Sequence, residues 1–173
     1  MTELNISHSL TDKLRIAGIV DESIVDGPGI RLVVFTQGCR HNCKGCHNKH
    51  THDFNGGYEI SIQDIIDRVK SNPLLDGITL SGGDPFEQGK SCSILAKEVK
   101  KLGLSIVTYT GYTYEELLER KEAKDLLSST DILIDGEFDI TKKDLTLPFR
   151  GSSNQRILRR REASGSLQFV SGL

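Results

Sequence analysis

Apolar residues along this chain follow two different periods. The runs "LRIAGIV" (14–20) and "IRLVVFT" (30–36) are β-branched and apolar, and the turn-rich "DESIVDGPG" separates them, so both predict strands. The spacing then changes. In "SIQDIIDRVKSNP" (61–73), Ile62, Ile65, Ile66 and Val69 share a helical face, Ser61 suits the N-cap and Pro73 lies beyond the end. "GITLSGG" (77–83) predicts a strand entering a glycine turn, and "EQGKSCSILAKEVKKLG" (87–103) a helix with Leu95, Val99 and Leu102 on one side and Gly103 as its stop. A strand at 104–110, a helix at 114–128 behind a Thr113-x-x-Glu116 capping pattern, and a strand at 131–136 complete the series.

Alternation of strand and helix predicts an α/β fold with a mostly parallel sheet and right-handed crossovers. A closed eight-unit barrel needs about 250 residues, so the expected fold is a partial, open (β/α) barrel of about five or six units. Residues 1–173 read as a single domain with a core at about 14–158, and the N-terminal segment and the Gly/Ser-containing tail 162–173 are expected to be mobile. Functional loops of such folds lie at the carboxyl ends of strands. The unusual segments of this chain fall there: a cysteine loop after 30–36, "GGDP" after 77–81, "TGY" after 104–109 and "DGEF" after 131–134.

Composition narrows the partners. The formal net charge is -2, charged residues are 27% and hydrophobic residues 36%, so no global basic field points to nucleic acid or a membrane. The N-terminus has no apolar signal core and nothing approaches the roughly 20 apolar residues of a membrane span, which makes a cytoplasmic location the expectation. The run Arg150, Arg156, Arg159, Arg160, Arg161 reads as solvated surface or, alternatively, as a docking patch; without interleaved aromatics it is a poor nucleic-acid site.

Four cysteines are too few for a disulfide scaffold, and three of them, Cys39, Cys43 and Cys46, sit in "QGCRHNCKGCHN" (37–48). Thiolates suit zinc and iron-sulfur centres. A zinc site would want a fourth ligand, for which His41, His47, His50 and His52 are near in sequence. A redox dithiol is a further alternative. A [4Fe-4S] cubane with three cysteine ligands would keep one iron open to a substrate. Cys92, alone on a predicted helix, reads as a small buried residue. In "LSGGDPF" (80–86), Gly82 and Gly83 permit close backbone approach and Asp84 can accept hydrogen bonds from an ammonium, although such a turn is also ordinary punctuation. Asp135 before Gly136 reads equally as a turn former, and His47 and His52 as solvated loop histidines.

The spacing Cys-x3-Cys-x2-Cys resembles that of the radical S-adenosylmethionine (SAM) superfamily. That resemblance implies one [4Fe-4S] cluster per chain on Cys39, Cys43 and Cys46, with the amino and carboxylate groups of SAM on the open iron. It further implies that "LSGGDPF" corresponds to a Gly-Gly-Glu-type motif holding the SAM amino group, with Asp84 in place of Glu, that Gly45, Cys46 and His47 run along the adenine, and that Asp135 faces SAM. "DGPGIR" (26–31), "QGCRHNCKGCHN", "LSGGDPF", "TGYTYEEL", "DILIDGEFD" and "RGSSNQR" (150–156) together resemble the family of activases for anaerobic ribonucleoside-triphosphate reductase. Such a protein takes a glycine loop of the reductase as its substrate and a flavodoxin or ferredoxin-type protein as its electron donor. A partial barrel agrees with this, because it leaves a lateral mouth that "DGPG" could line. Two other readings stand beside it: an activase for another glycyl-radical enzyme such as pyruvate formate-lyase, and a zinc-binding interaction module without catalysis.

Overall fold

A computed structural model describes residues 12–161 and 165–170. Eight strands form one sheet: β1 (Lys13–Ser23), β2 (Arg31–Thr36), β3 (Tyr58–Ser61), β4 (Gly77–Gly82), β5 (Ser105–Tyr109), β6 (Ile132–Asp135), β7 (Arg156–Arg160) and β8 (Leu167–Val170). Their order is β3-β1-β2-β4-β5-β6-β7-β8. The central strands β2, β4, β5 and β6 are parallel neighbours. The flanking pairs are antiparallel.

The sheet is therefore open, as expected, but mixed rather than mostly parallel, and it contains fewer strand-helix crossovers than five or six. The reason is connection length. Residues 24–30 between β1 and β2 are too few for a parallel crossover, which takes a dozen or more, so these strands form a hairpin. Between β6 and β7 the chain makes only a 3-10 turn at Ile140–Lys142, and β7 returns antiparallel.

Helices α1 (Ile62–Ser71), α2 (Gly89–Lys101), α3 (Tyr114–Leu118) and α4 (Lys124–Ser129) cover one face. Their ends follow the local chemistry of the sequence. Ser61 Oγ accepts from the Asp64 amide at 3.1 Å, Thr113 and Glu116 form a reciprocal capping box, and Gly103 ends the α2 turn with φ 79°. The helix expected over 114–128 is broken at Arg120, whose backbone is extended (φ -97°, ψ 111°) and whose guanidinium lies 4.3 Å from the Tyr112 ring centroid. The break lets Leu117, Ala123 and Leu126 all reach the core.

The larger core packs Leu32, Val34, Ile78, Leu80, Ile106 and Leu133 of the sheet against the helices, and it contains Cys92, fully buried as its helical position predicts. A smaller cluster of Val107, Ile132, Ile134 and Ile157 occupies the opposite, helix-free face. On that side "DGPGIR" is locked into the sheet by Arg31, which has no exposed surface. Its Nε donates to Thr79 Oγ1 (2.8 Å), Nη1 to Pro28 O and Ser105 Oγ (3.0 Å each), and Nη2 to Ile78 O (2.6 Å) and Ser105 O (2.9 Å). Gly29 (φ 80°) is obligatory here, since a Cβ would stand 2.3 Å from Asp76 Oδ2. Among the described residues no helix is long and apolar enough to cross a membrane.

Candidate functional site

Residues 37–57 leave β2, residues 83–88 leave β4, 110–113 leave β5 and 136–155 leave β6, so all four special segments gather at the carboxyl rim of the parallel strands. The cysteine loop is closed at its neck. Gln37, 2% exposed, donates from Nε2 to His50 O (3.1 Å) and Asp53 O (2.6 Å), while Gly38 N donates to Thr51 O at 2.7 Å. Gly82 and Gly83 then press directly on this neck. A Cβ on Gly82 would meet Thr36 N at 2.5 Å and one on Gly83 would meet Gly38 O at 2.3 Å. Glycine allows the β4 turn and the cysteine loop to share Gly83 N→Thr36 O (2.7 Å) and Asp84 N→Gly38 O (2.8 Å).

Inside the loop, Asn42 (φ 49°) and Gly45 (φ 77°) take left-handed turns one residue before Cys43 and Cys46. All three cysteines are free and half-buried. The Asn48 amide points at Cys46 Sγ, 3.4 Å away. Burial pushes the Cys39 thiol up to about 11 and raises Cys43, with the Glu137 charge adding to the latter. Cys39, Cys43 and Cys46 place three soft donors on one loop, the donor type that an iron-sulfur cluster takes.

Metal ligation requires thiolate, and below about 11 the Cys39 thiolate fraction grows about tenfold per pH unit. Cluster assembly at limiting iron and sulfide is therefore expected to be markedly more complete at pH 8.5 than at pH 7. Bound iron measured after anaerobic desalting checks this, and a flat profile would contradict it.

His41, between the first two cysteines, turns out to be the hub of the rim. Its Nε2 lies 2.9 Å from Asp84 Oδ2 and its Nδ1 3.0 Å from Glu137 Oε1, and its ring meets Tyr112 edge-on at 4.4 Å. Burial favours the neutral ring, but hydrogen bonding to and charge on Asp84, then Glu137, outweigh it and raise the pKa. Both ring nitrogens are engaged, which removes His41 from the candidate fourth ligands of a zinc ion. One sequence signal pointed to it, its place inside the cysteine spacing; the two carboxylates come from loops 43 and 96 residues away.

Asp84 has no exposed surface and its carboxylate is turned into the protein. Oδ2 accepts from His41, from Thr110 Oγ1 (2.9 Å) and from Gly111 N (2.9 Å), and Oδ1 from Phe86 N (3.0 Å) and Thr110 Oγ1 (3.0 Å). Asp135, 1% exposed, caps α3 through Tyr114 N (2.7 Å) and pairs with Arg156 Nε (3.0 Å). Arg156 also clamps Glu115, and Arg160 donates to Thr130 O and Leu127 O. Part of the arginine run is thus internal bracing on β7 rather than solvated surface.

The loop opens into a cleft of about 820 Å³ on the helix-free face. Phe35, Ser81 and Tyr109 form its floor, Cys46, His47 and Asn48 one side, and residues 145–151 another. The His47 ring packs against Phe138 with centroids 5.5 Å apart. Cys46 and His47 reach this cleft directly. Asp135 instead borders a polar recess of about 430 Å³ with His41, Glu137 and Arg156.

The rim of this open α/β sheet carries a three-thiol loop, and Cys46 of that loop lines the cleft. Residues 25–158 match the family described as a 4Fe-4S single cluster domain. An anaerobic ribonucleoside-triphosphate reductase-activating protein of Pasteurella multocida is 36% identical over 149 residues, covering 79% of this chain and 91% of that protein. The protein of the same description from Escherichia coli K12 is 39% identical over 146 residues (76% and 90%), and that of Enterobacteria phage T4 is 32% identical over 139 residues (77% and 86%). Among solved structures, QueE from Escherichia coli aligns over 65% of this chain and 59% of its own at 17% identity, with a TM-score of 0.48. The chain belongs to the family of anaerobic ribonucleoside-triphosphate reductase-activating proteins. It is a radical SAM enzyme of the 4Fe-4S type.

Proposed function

We propose that this protein acts in the cytoplasm on the glycine loop of an anaerobic ribonucleoside-triphosphate reductase and leaves a glycyl radical there. Family membership carries the reading, and the opening of the cysteine loop into a broad cleft supports it. When bound, the cluster would supply one electron and SAM the deoxyadenosyl group that takes hydrogen from a glycine Cα, with methionine as the other product.

Cys39, Cys43 and Cys46 are the cluster ligands in this reading. Gly45, Cys46 and His47 supply the backbone edge for the adenine, and His47 keeps its ring oriented against Phe138. Gly82 and Gly83 bring the β4 turn against the cysteine loop, where they would hold the SAM amino group, and Asp84 fixes that turn to the loop through His41. Asp135 orients the β6 loop and Arg156 at the same rim. The Asn48 amide directed at Cys46 Sγ stabilises negative charge on that sulfur and so favours reduction of a cluster held there. The open sheet works as a partial barrel whose lateral mouth admits a protein segment, and a flavodoxin or ferredoxin-type protein delivers the electron.

The test is anaerobic. Protein reconstituted with iron and sulfide, reduced with dithionite and given SAM is expected to produce a glycyl-radical doublet by electron paramagnetic resonance on purified anaerobic reductase. Pyruvate formate-lyase under the same conditions is expected to stay silent. A radical on pyruvate formate-lyase and none on the reductase would overturn the choice of substrate.

A further inference from the structure

The three most exposed large apolar side chains among the described residues are Leu145 (78%), Ile24 (74%) and Val25 (70%). All three border the cleft that contains Cys46. Ile24 and Val25 sit at the tip of the β1–β2 hairpin, and Leu145 begins the wall that faces it, residues 145–151. Exposed apolar side chains scattered singly need no explanation, but three gathered on the rim of one cleft mark a contact surface.

The wall has two further oddities. Phe149 is held at φ 61°, a left-handed conformation costly for an aromatic residue, and Tyr109 Oη pins it by donating to Phe149 O at 2.7 Å. Beside it, Arg150 donates from Nη1 to Gln155 O at 3.1 Å, yet its buried Nε has no hydrogen-bond partner. The neighbouring residues of the "RGSSNQR" motif are satisfied internally: Asn154 Nδ2 donates to Glu137 O, and Gln155 Oε1 accepts from the Gly151 and Ser152 amides. Strain, an unsatisfied donor and an exposed leucine therefore coincide within six residues.

Resting on the function proposed above, we infer that Leu145–Arg150 is the jaw that receives the reductase, gripping an extended, uncharged stretch of backbone around its glycine. The polar groups at the cleft suit this occupant: Asp26 accepts from Ser23 Oγ at 2.5 Å, and Arg150 Nε is a buried donor without a hydrogen-bond partner among the described residues. Apolar side chains of the incoming segment meet Leu145 across from Ile24 and Val25, and a side-chain rotation lets Arg150 donate to a peptide carbonyl. The surface is continuous with the loop that carries Cys46, as hydrogen removal from a backbone Cα demands.

The test compares cluster-loaded wild type, Leu145→Asp and Leu145→Met. For each, binding to purified reductase, 5'-deoxyadenosine formed without reductase, and the glycyl-radical signal are measured. Leu145→Asp is expected to weaken binding about tenfold and lower the radical yield accordingly, with Leu145→Met close to wild type. Its deoxyadenosine yield without reductase is expected to stay within about twofold of wild type, because an exposed rim residue does not contact the cofactors. Wild-type binding by Leu145→Asp would overturn the inference, as would a matching loss of deoxyadenosine formation. Weakened binding by the variant together with a radical-silent wild type would retain the docking jaw and reject the activase reading.

Discussion

Replacing Cys43 by alanine is expected to abolish both the cluster and SAM cleavage. The three thiols lie on one loop whose neck is held by Gln37 and by Gly38 N→Thr51 O, so the loop itself survives the change. The two histidines nearest Cys43 in sequence are otherwise engaged. Both nitrogens of His41 are engaged by Asp84 and Glu137, and His47 is packed on Phe138. Two remaining thiolates leave two irons without protein ligands, and such a cluster is lost to solvent. Iron content and visible absorption after anaerobic reconstitution, with 5'-deoxyadenosine measured by chromatography, check this for Cys39, Cys43 and Cys46. Cys92→Ser supplies the contrast: Cys92 is fully buried among core side chains, so its change is expected to lower stability and leave the iron content intact. A Cys43→Ala protein with wild-type iron and SAM cleavage would remove this loop from the mechanism.

Arg31→Met is expected to be the most damaging substitution away from the cysteines. Burial, the largest influence, lowers the Arg31 pKa to about 10 against the opposing charges of Asp76 and Asp131, so the guanidinium stays protonated near neutral pH. Its hydrogen bonds join the "DGPG" turn to β4 and β5 at once. Methionine fills similar space but leaves Pro28 O, Ile78 O and Ser105 O short of a donor. At about 1–3 kcal/mol for each buried group left unsatisfied, and with some of these oxygens keeping other partners, the loss is about 4 kcal/mol. That is a large part of the roughly 5–15 kcal/mol that holds a domain together, and it corresponds to a melting temperature lower by about 10 °C. Urea and thermal unfolding measure it. A change below about 1 kcal/mol would mean that desolvating the guanidinium cancels its hydrogen bonds.

Much of the architecture was legible along the chain because the signals were local. Ser61, the Thr113–Glu116 box and Gly103 act on their own helix ends, and the apolar spacing of α1 and α2 faces one continuous core. The short outer strands were hidden for a physical reason. β3 is four residues long and largely exposed, and β7 reads as an arginine run because Ile157 and Leu158 alone enter the cores, one on each side of the sheet. The break at Arg120 was equally invisible, since a helical pattern on both sides does not reveal where the chain must turn to bury both halves.

The same division holds at the site. By itself the sequence determined that three soft ligands lie in one loop after a strand and that glycine and acidic segments follow the next strands, because ligand type, spacing and strand-helix alternation are properties of neighbours in the chain. Only the tertiary structure decided what those acidic groups do. Asp84 and Asp135 are turned inward to His41, Arg156 and backbone amides, the glycines of "GGDP" press on the cysteine loop, and Leu145 stands across a cleft from Ile24. A carboxylate takes its role from the donors that reach it in three dimensions, and those donors arrive from loops that only the sheet brings together.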